Sequence, residues 1–344
     1  MPTIKDVALF AKVSTTTVSH VINKTRVVSS ELTDRVQLAM NQLNYHPNAL
    51  ARSLRIGSTK TIGLITPDIS NLFFAEIARY IEDYGHAEGF SVILCNTDNQ
   101  LGKESSYIQV LIDKQIDGII FISSGDSTDN LKRLREANIP VVVTDRDVKD
   151  FPVDVVLVDN LTGGMLATEY LIKLGHTSIA HIAGPSTVTP SAQRTEGYRL
   201  AMKKNHLQII PNYIFEGDFR IESGEQAMNN LLSQPVLPTA VFISNDMMAF
   251  GAVRVLYEHG LKIPDDISIV GYDDTLLTRS FLPPLTTIAQ PMKEMAVLVT
   301  RMLIKRIKES KPSQKLRTSN YERRVLEVKL VERNSCKKIL QSIT

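Results

Sequence analysis

The chain has 344 residues, 43% hydrophobic and 22% charged, with a formal net charge of +2; that length exceeds one ordinary domain and suits two or three, each able to bury its own core. No apolar run reaches the ~18 residues of a membrane span, the start MPTIKDV lacks the basic-then-apolar pattern of an export signal, and Cys95 and Cys336 form neither a closely spaced pair nor a metal-ligand set. The expectation is a cytoplasmic protein with no membrane attachment, disulfide framework or zinc site.

The charge is uneven along the chain. Residues 1–58 hold seven basic side chains against three acidic ones, a local +4 that leaves the remainder at −2, so the N-terminal end is where a polyanionic partner would bind. Thr3 and Asp6 have the spacing of a capping box and open a short apolar-periodic helix containing Val7, Ala8 and Ala11. Ser14 is placed to cap a second helix over about Thr15–Ile22, with Val18, Val21 and Ile22 facing inward. A third helix starting at Ser29 or Ser30 would cover that pair with Leu32, Val36, Met40 and Leu43. Thr15, Thr16, Ser19 and His20 remain on the outer face of helix two, and short polar groups at a helix N-terminus suit base edges and thymine methyls in a major groove. Next, Pro47 and Gly57 bracket a segment, Asn48 to Arg55, that reads as helical but is shorter than the ~12 residues at which isolated helices become marginal. Its exposed Leu54 lies close to Arg52 and Arg55.

From Lys60 onward, β-rich runs (TIGLITP, FSVILCN, DGIIFIS, PVVVTD, DVVLVD, then SIAHIAG, TAVFIS, ISIVGYD, LTTIA) alternate with helical stretches. Such alternation implies parallel sheets covered by helices on both faces, and its repetition with a break near Asp159 implies two α/β lobes. Ligands of such sheets bind beyond the carboxyl ends of the strands. At those ends stand Asn71, Phe73, Phe74, Asp145, Arg146, Arg194, Phe219, Asn245, Asp273 and Gln290, rings that can stack on a sugar and polar groups that can bond its hydroxyls. Phe73 with Phe219 is the pair read as sandwiching the ring, and Asp246 is read as a helix cap. The segment Lys308–Arg324 reads as a basic surface loop, VLEVKLVERNS as one terminal strand, and SCKKILQSIT as a tail too short for a tetramerising coiled coil.

The stretch TIKDVALFAKVSTTTVSHVINKTRVVS is similar to the headpiece of the lac-repressor family, and more narrowly of its purine and ribose repressor branch, the match running on to Arg52. The resemblance implies that Thr15, Thr16, His20 and Arg26 lie at bases and adjoining backbone, and that Thr3, Ser14, Thr17, Ser19 and Asn23 position phosphates. It also implies that Leu54, with Ala51 and Arg55 beside it, is a minor-groove wedge where two hinge helices of a dimer meet and kink the operator. Residues 60–334 resemble periplasmic sugar-binding proteins, and the ten strand-end residues match the pattern of ribose-binding proteins. The purine branch has an aromatic where Arg146 stands and a basic residue near Val188; both departures point away from a purine.

The predicted fold is an all-α helix-turn-helix headpiece (1–46), a hinge (47–58), an α/β periplasmic-binding-protein-like domain of two doubly wound lobes (59–334) and a tail (335–344). The predicted function is a homodimeric repressor of a palindromic operator, without cofactor, released by D-ribose as inducer. Alternatives are a purine- or other sugar-responsive regulator and a global regulator with a protein corepressor. An enzyme is disfavoured because no phosphate loop, nucleophile elbow or metal cluster stands at a strand end, and an exported sugar receptor would need an export signal.

Overall fold

The computed structural model describes residues 2–23, 25–46, 58–122, 128–148, 151–310 and 321–339. It divides into two compact units, Met1–Thr59 and Lys60–Thr344, each described by itself.

The first unit holds three helices, α1 (Ile4–Ala11), α2 (Thr15–Asn23) and α3 (Ser30–Gln42). Thr3 starts α1 with a complete capping box: its hydroxyl accepts from the Asp6 amide, while the Asp6 carboxylate accepts from the Thr3 amide at 2.7 Å. Lys12 ends the helix in the left-handed region at φ 51°, and Ser14 Oγ accepts from the Thr17 amide at 3.0 Å to start α2. Ser29 starts α3 in the same way. Val7, Ala8, Ala11, Val18, Val36 and Ala39 form the core, with Val21, Ile22, Met40 and Leu43 packed at its margin. Arg35 ties α3 to the end of α1 by donating to the Ala11 carbonyl at 2.6 Å. The expected hinge helix, with Ala51, Leu54 and Arg55, lies outside the described residues.

The second unit contains two six-stranded sheets. The first is built from β1 (Thr61–Thr66), β2 (Ser91–Asn96), β3 (Gly118–Phe121), β4 (Val141–Thr144), β5 (Asp154–Val158) and β11 (Arg323–Leu326), in the order β11-β5-β4-β3-β1-β2. The second comprises β6 (Ile179–Ala183), β7 (Ile214–Glu216), β8 (Ala240–Ile243), β9 (Ser268–Asp273), β10 (Thr286–Ala289) and β12 (Lys329–Val331), in the order β12-β10-β9-β8-β6-β7. Strands β1, β3, β4, β5, β6, β8 and β9 are almost wholly buried along their length, as expected of parallel strands covered on both faces. The covering helices are α4 (Leu72–Ala87), α5 (Leu101–Asp113), α6 (Asp129–Glu136), α7 (Asn160–Lys173), α8 (Thr189–Lys204), α9 (Ile221–Leu232), α10 (Asp246–Glu258) and α11 (Met292–Glu309). Gly118 lets α11 seat close on the first sheet: a Cβ there would stand 2.8 Å from Leu303 Cδ1, so the Leu303 side chain would have to shift.

The chain crosses between lobes three times: after β5, after β10 and between β11 and β12. The first crossing falls where the sequence shows its break. The third corrects the reading of VLEVKLVERNS as one strand. Arg323–Leu326 pairs parallel with β5, whereas Lys329–Val331 pairs antiparallel with β10, so one apolar run feeds two sheets. Strand β7 has three residues, too few to show periodicity. The basic segment is also more than a loop: Lys308 belongs to α11, and Arg323 and Arg324 begin β11, with 311–320 outside the described residues. Nor is the start of the expected tail free. Ser335 is buried and accepts from the Thr286 amide at 2.8 Å, and the Ile339 amide donates to the Leu174 carbonyl.

Candidate functional site

Nine of the ten strand-end residues line one cavity, of about 340 Å³ of empty space, between the two lobes of the second unit: Asn71, Phe73, Phe74, Asp145 and Arg146 from the first lobe, and Arg194, Phe219, Asn245 and Asp273 from the second. Val188 and Pro190, at the start of α8, complete the wall. Gln290 does not line it. Its Nε2 donates to Asp273 Oδ1 at 2.7 Å from one layer behind, and its Oε1 is buried with no hydrogen-bond partner.

The wall is built from the segments that follow the strands, with Phe73 and Phe74 in the first turn of α4 and Arg194 within α8. Asn71 accepts from the Phe73 amide at 3.0 Å and starts α4. Asn245 starts α10 by accepting from the Met248 amide, while its Nδ2 donates to the Phe219 carbonyl, both at 3.0 Å. Asn245 is therefore the cap that the sequence assigned to Asp246. Asp246 instead lies one layer back, wholly buried, accepting from the Thr275 amide and the Thr275 and Thr287 hydroxyls. Arg194 is 3% exposed. It donates to Asn160 Oδ1 at 2.8 Å and to the Ser244 carbonyl at 2.6 Å, stacks 3.7 Å from the Tyr272 ring centroid, and lies 3.6 Å from Asp273 Oδ1.

Two carboxylates from opposite lobes share this space. Burial raises Asp145, opposed by Arg146 and Arg194. Asp273 is pushed up to about 7, chiefly by burial; Arg194 and the Gln290 amide oppose the shift, and Asp145 and Glu76 add to it. Burial, and then Asp273, raise Asp246 well above the ordinary carboxylate range. Removing carboxylates from water disfavours their charged form, and donors brought by a ligand would favour it again.

The backbone is strained at the same place. Asp145, Phe219 and Asp273 have φ of 66°, 70° and 113°, a region costly for residues with a Cβ and met at ligand sites. Gly184 makes room for one of them: a Cβ on it would come 2.3 Å from the Phe219 ring. Phe74 and Phe219 line both the deep cavity and its outer mouth. Phe73 is 3% exposed, packed in the main core and edge-on to Phe74 at 5.1 Å, so it buttresses Phe74 more than it offers a free face. Asn160, Ser244, Tyr272 and Gly184 escaped the sequence reading; for Asn160, Gly184 and Ser244 the position just past a strand was the available signal.

In the first unit, Thr15, Thr16 and Arg26 are exposed, and Ser19 and His20 half-buried. Thr3, Ser14 and Thr17 take part in the helix starts. Asn23 Nδ2 donates to the Ser19 carbonyl at 2.7 Å, and His20 Nδ1 lies 2.8 Å from Thr25 Oγ1. Among the described residues no helix is long and apolar enough to cross a membrane, and no group of three His, Cys, Asp or Glu could hold a metal.

Residues 59–329 match the pattern of periplasmic binding proteins and the sugar-binding domain of the LacI family, and residues 3–48 match bacterial regulatory proteins of the lacI family. The chain belongs to the LacI family. This LacI-family chain is 41% identical to the HTH-type transcriptional repressor PurR of Vibrio campbellii over 343 residues, 98% of this chain and all of that one. Among solved structures it is similar to the lac repressor dimer bound to operator and the anti-inducer ONPF, with TM-score 0.85 and 29% identity over 98% of this chain and 99% of that one. It is also similar to a LacI-family regulator of Enterococcus faecium with bound ribose, with TM-score 0.72 and 33% identity over 81% of this chain and all of that one. The chain is a ligand-responsive, DNA-binding transcriptional repressor of this family. The purine repressors among its relatives favour the purine alternative over the ribose predicted from the strand ends.

Proposed function

We propose that this repressor acts in the cytoplasm as a homodimer on a palindromic operator, and that its effector is a pentose of the ribose type. The observation that carries the sugar reading is the convergence of Asp145 and Asp273 with Arg146 and Arg194 on one small cavity. A polyol offers a hydroxyl to each carboxylate and an acceptor oxygen to each guanidinium. Buried charge-assisted hydrogen bonds of this kind are worth about 1.5–3 kcal/mol each. Arg146 and Val188 stand on the wall where the purine branch has an aromatic and a basic residue.

A purine base is the second reading. Its support is the 41% identity to a purine repressor and the two rings, Phe74 and Phe219, that a planar base could meet. Calorimetry of the full chain with D-ribose, hypoxanthine and guanine separates the two. Heat with ribose and none with the bases is the expected result; the opposite pattern replaces the sugar with a purine.

On the DNA side, exposed Thr15 and Thr16 with His20 and Arg26 are assigned to base reading, and Thr3, Ser14, Thr17, Ser19 and Asn23 to phosphates. Leu54, with Ala51 and Arg55 of the same segment, is assigned to a minor-groove wedge. A base-reading residue changes the ranking of operators, whereas a phosphate contact weakens all of them alike. Thr16→Ala is therefore expected to reorder a panel of operator variants, and an unchanged ranking removes Thr16 from the readers.

A further inference from the structure

Outside the deep cavity the two lobes approach again at its mouth, a wider region of about 920 Å³ of empty space that includes Asp68 and Asn99 from the first lobe and Asp218 and Arg220 from the second. Arg220 Nε lies 3.6 Å from Asp68 Oδ2. The acid is pre-set: Asp68 Oδ1 accepts from the Ser70 amide at 2.9 Å and the Ser70 hydroxyl at 2.6 Å, which leaves Oδ2 turned to the other lobe. Its side chain is 12% exposed, so the charge is screened less than a surface carboxylate. Arg220 is also positioned, because its amide donates to Asp218 Oδ1 at 3.0 Å and it precedes α9. It follows Phe219, whose left-handed backbone belongs to the cavity wall. Asp98, which also feels the Arg220 charge, is paired at 2.5 Å with Lys103, leaving Asp68 as the partner of Arg220. A second bond between lobes, from the Leu276 amide to Glu76 Oε1 at 2.7 Å, joins the lobes at a separate point.

We propose that Asp68 and Arg220 form an electrostatic clasp across the mouth of the cavity and set the residence time of the bound effector. The proposal rests on the reading of the cavity as the effector site and adds two residues that do not line its deep wall. An effector leaving the closed cavity must separate the pair while its own bonds hold both lobes together, whereas one arriving enters during the brief openings of a partly exposed ion pair, which cost little. The clasp therefore acts on dissociation.

The test uses the full chain and four variants, Asp68→Asn, Arg220→Gln, Arg220→Lys and the double Asp68→Asn with Arg220→Gln, with D-ribose and hypoxanthine as probes. Asp68→Asn keeps the acceptor for Ser70, and Arg220 has a side chain 55% exposed, so neither change threatens the fold. A partly exposed pair predicts dissociation faster by about 3- to 5-fold in each neutralising single variant, association within about 2-fold, and most of the wild-type rate kept by Arg220→Lys. The double variant should be no faster than either single one, and the difference from wild type should shrink in about 0.5 M salt. Unchanged dissociation, or effects that multiply in the double variant, overturns the clasp. Should neither probe bind the wild-type chain, the effector reading fails separately, and amide exchange of the ligand-free protein decides the clasp. Faster exchange in both 68–74 and 217–221 on Arg220→Gln supports it, and unchanged exchange overturns it.

Discussion

Asp273 combines a φ of 113°, near-complete burial and a carboxyl pushed up to about 7. Between about pH 4 and pH 7 the folded chain keeps a proton that the unfolded chain has released, so this residue's contribution is full below its unfolded pKa and is lost as pH rises through 7. His181 works in the opposite direction. Fully buried between the Tyr198 and Phe242 rings and held down to about 3, it contributes stability that is lost as pH falls below its unfolded value near 6.5. The wild-type profile mixes the two, so the difference between wild type and Asp273→Asn isolates the acid. We expect the variant to gain on wild type by on the order of a few kcal/mol as pH rises from 4 to 8; denaturant melts that run parallel across that range would refute the assignment. The same change removes a charged acceptor from the cavity and should weaken effector binding about 10-fold at pH 8, read by calorimetry.

At the scale of elements, the site depends on where strands stop. Gly184 follows β6 and leaves the space that the Phe219 ring fills. Gly184→Ala is expected to displace that ring and weaken effector binding about 10-fold or more, with operator binding in the absence of effector kept; unchanged affinity would mean that the ring is not a wall of the site. In the headpiece, Thr3→Ala removes a hydroxyl that joins a capping box and should cost about 1 kcal/mol in the stability of that unit, measured by thermal unfolding. The capping box and the wall residues at or next to a strand end, Asp145, Asn245 and Asp273, are legible in the sequence because helix caps and strand ends are local signals, fixed by residue type within three or four positions; Phe74 and Arg194, further along the chain, are legible only through the family resemblance. What was not legible depends on distance. Gln290 was placed on the wall, but its amide bonds Asp273 across 17 positions, and the Arg194 partners Asn160 and Ser244 are 34 and 50 positions away. The terminal run misled because alternation of side chains is the same whether one sheet or two receives it, and Glu327 and Val328 between β11 and β12 carry no turn residue to mark the change.

For the whole molecule, the three crossings between lobes mean that each lobe is completed by chain from the other side: α11 and β11 return to the first sheet after β10, and β12 returns to the second. A ligand gripped by Asp145 and Arg146 on one lobe and Asp273 and Arg194 on the other therefore acts on how the lobes stand, and so on the equilibrium between closed and open forms. A family member that answers to a ligand must couple that equilibrium to operator affinity, and the coupling is reciprocal: whatever factor the effector imposes on operator binding, the operator imposes on effector binding. If the effector is a pentose that induces its own use, it should weaken operator binding by about 5- to 150-fold, the usual span of allosteric coupling. Calorimetry of the effector against free repressor and against the repressor–operator complex measures one side of the cycle, and operator titrations with and without saturating effector measure the other. Equal factors, with weaker effector binding on DNA, are the expected result. Tighter binding on DNA would make the same ligand a corepressor, and a factor of one on both sides would mean that closure of the cavity does not reach the headpiece.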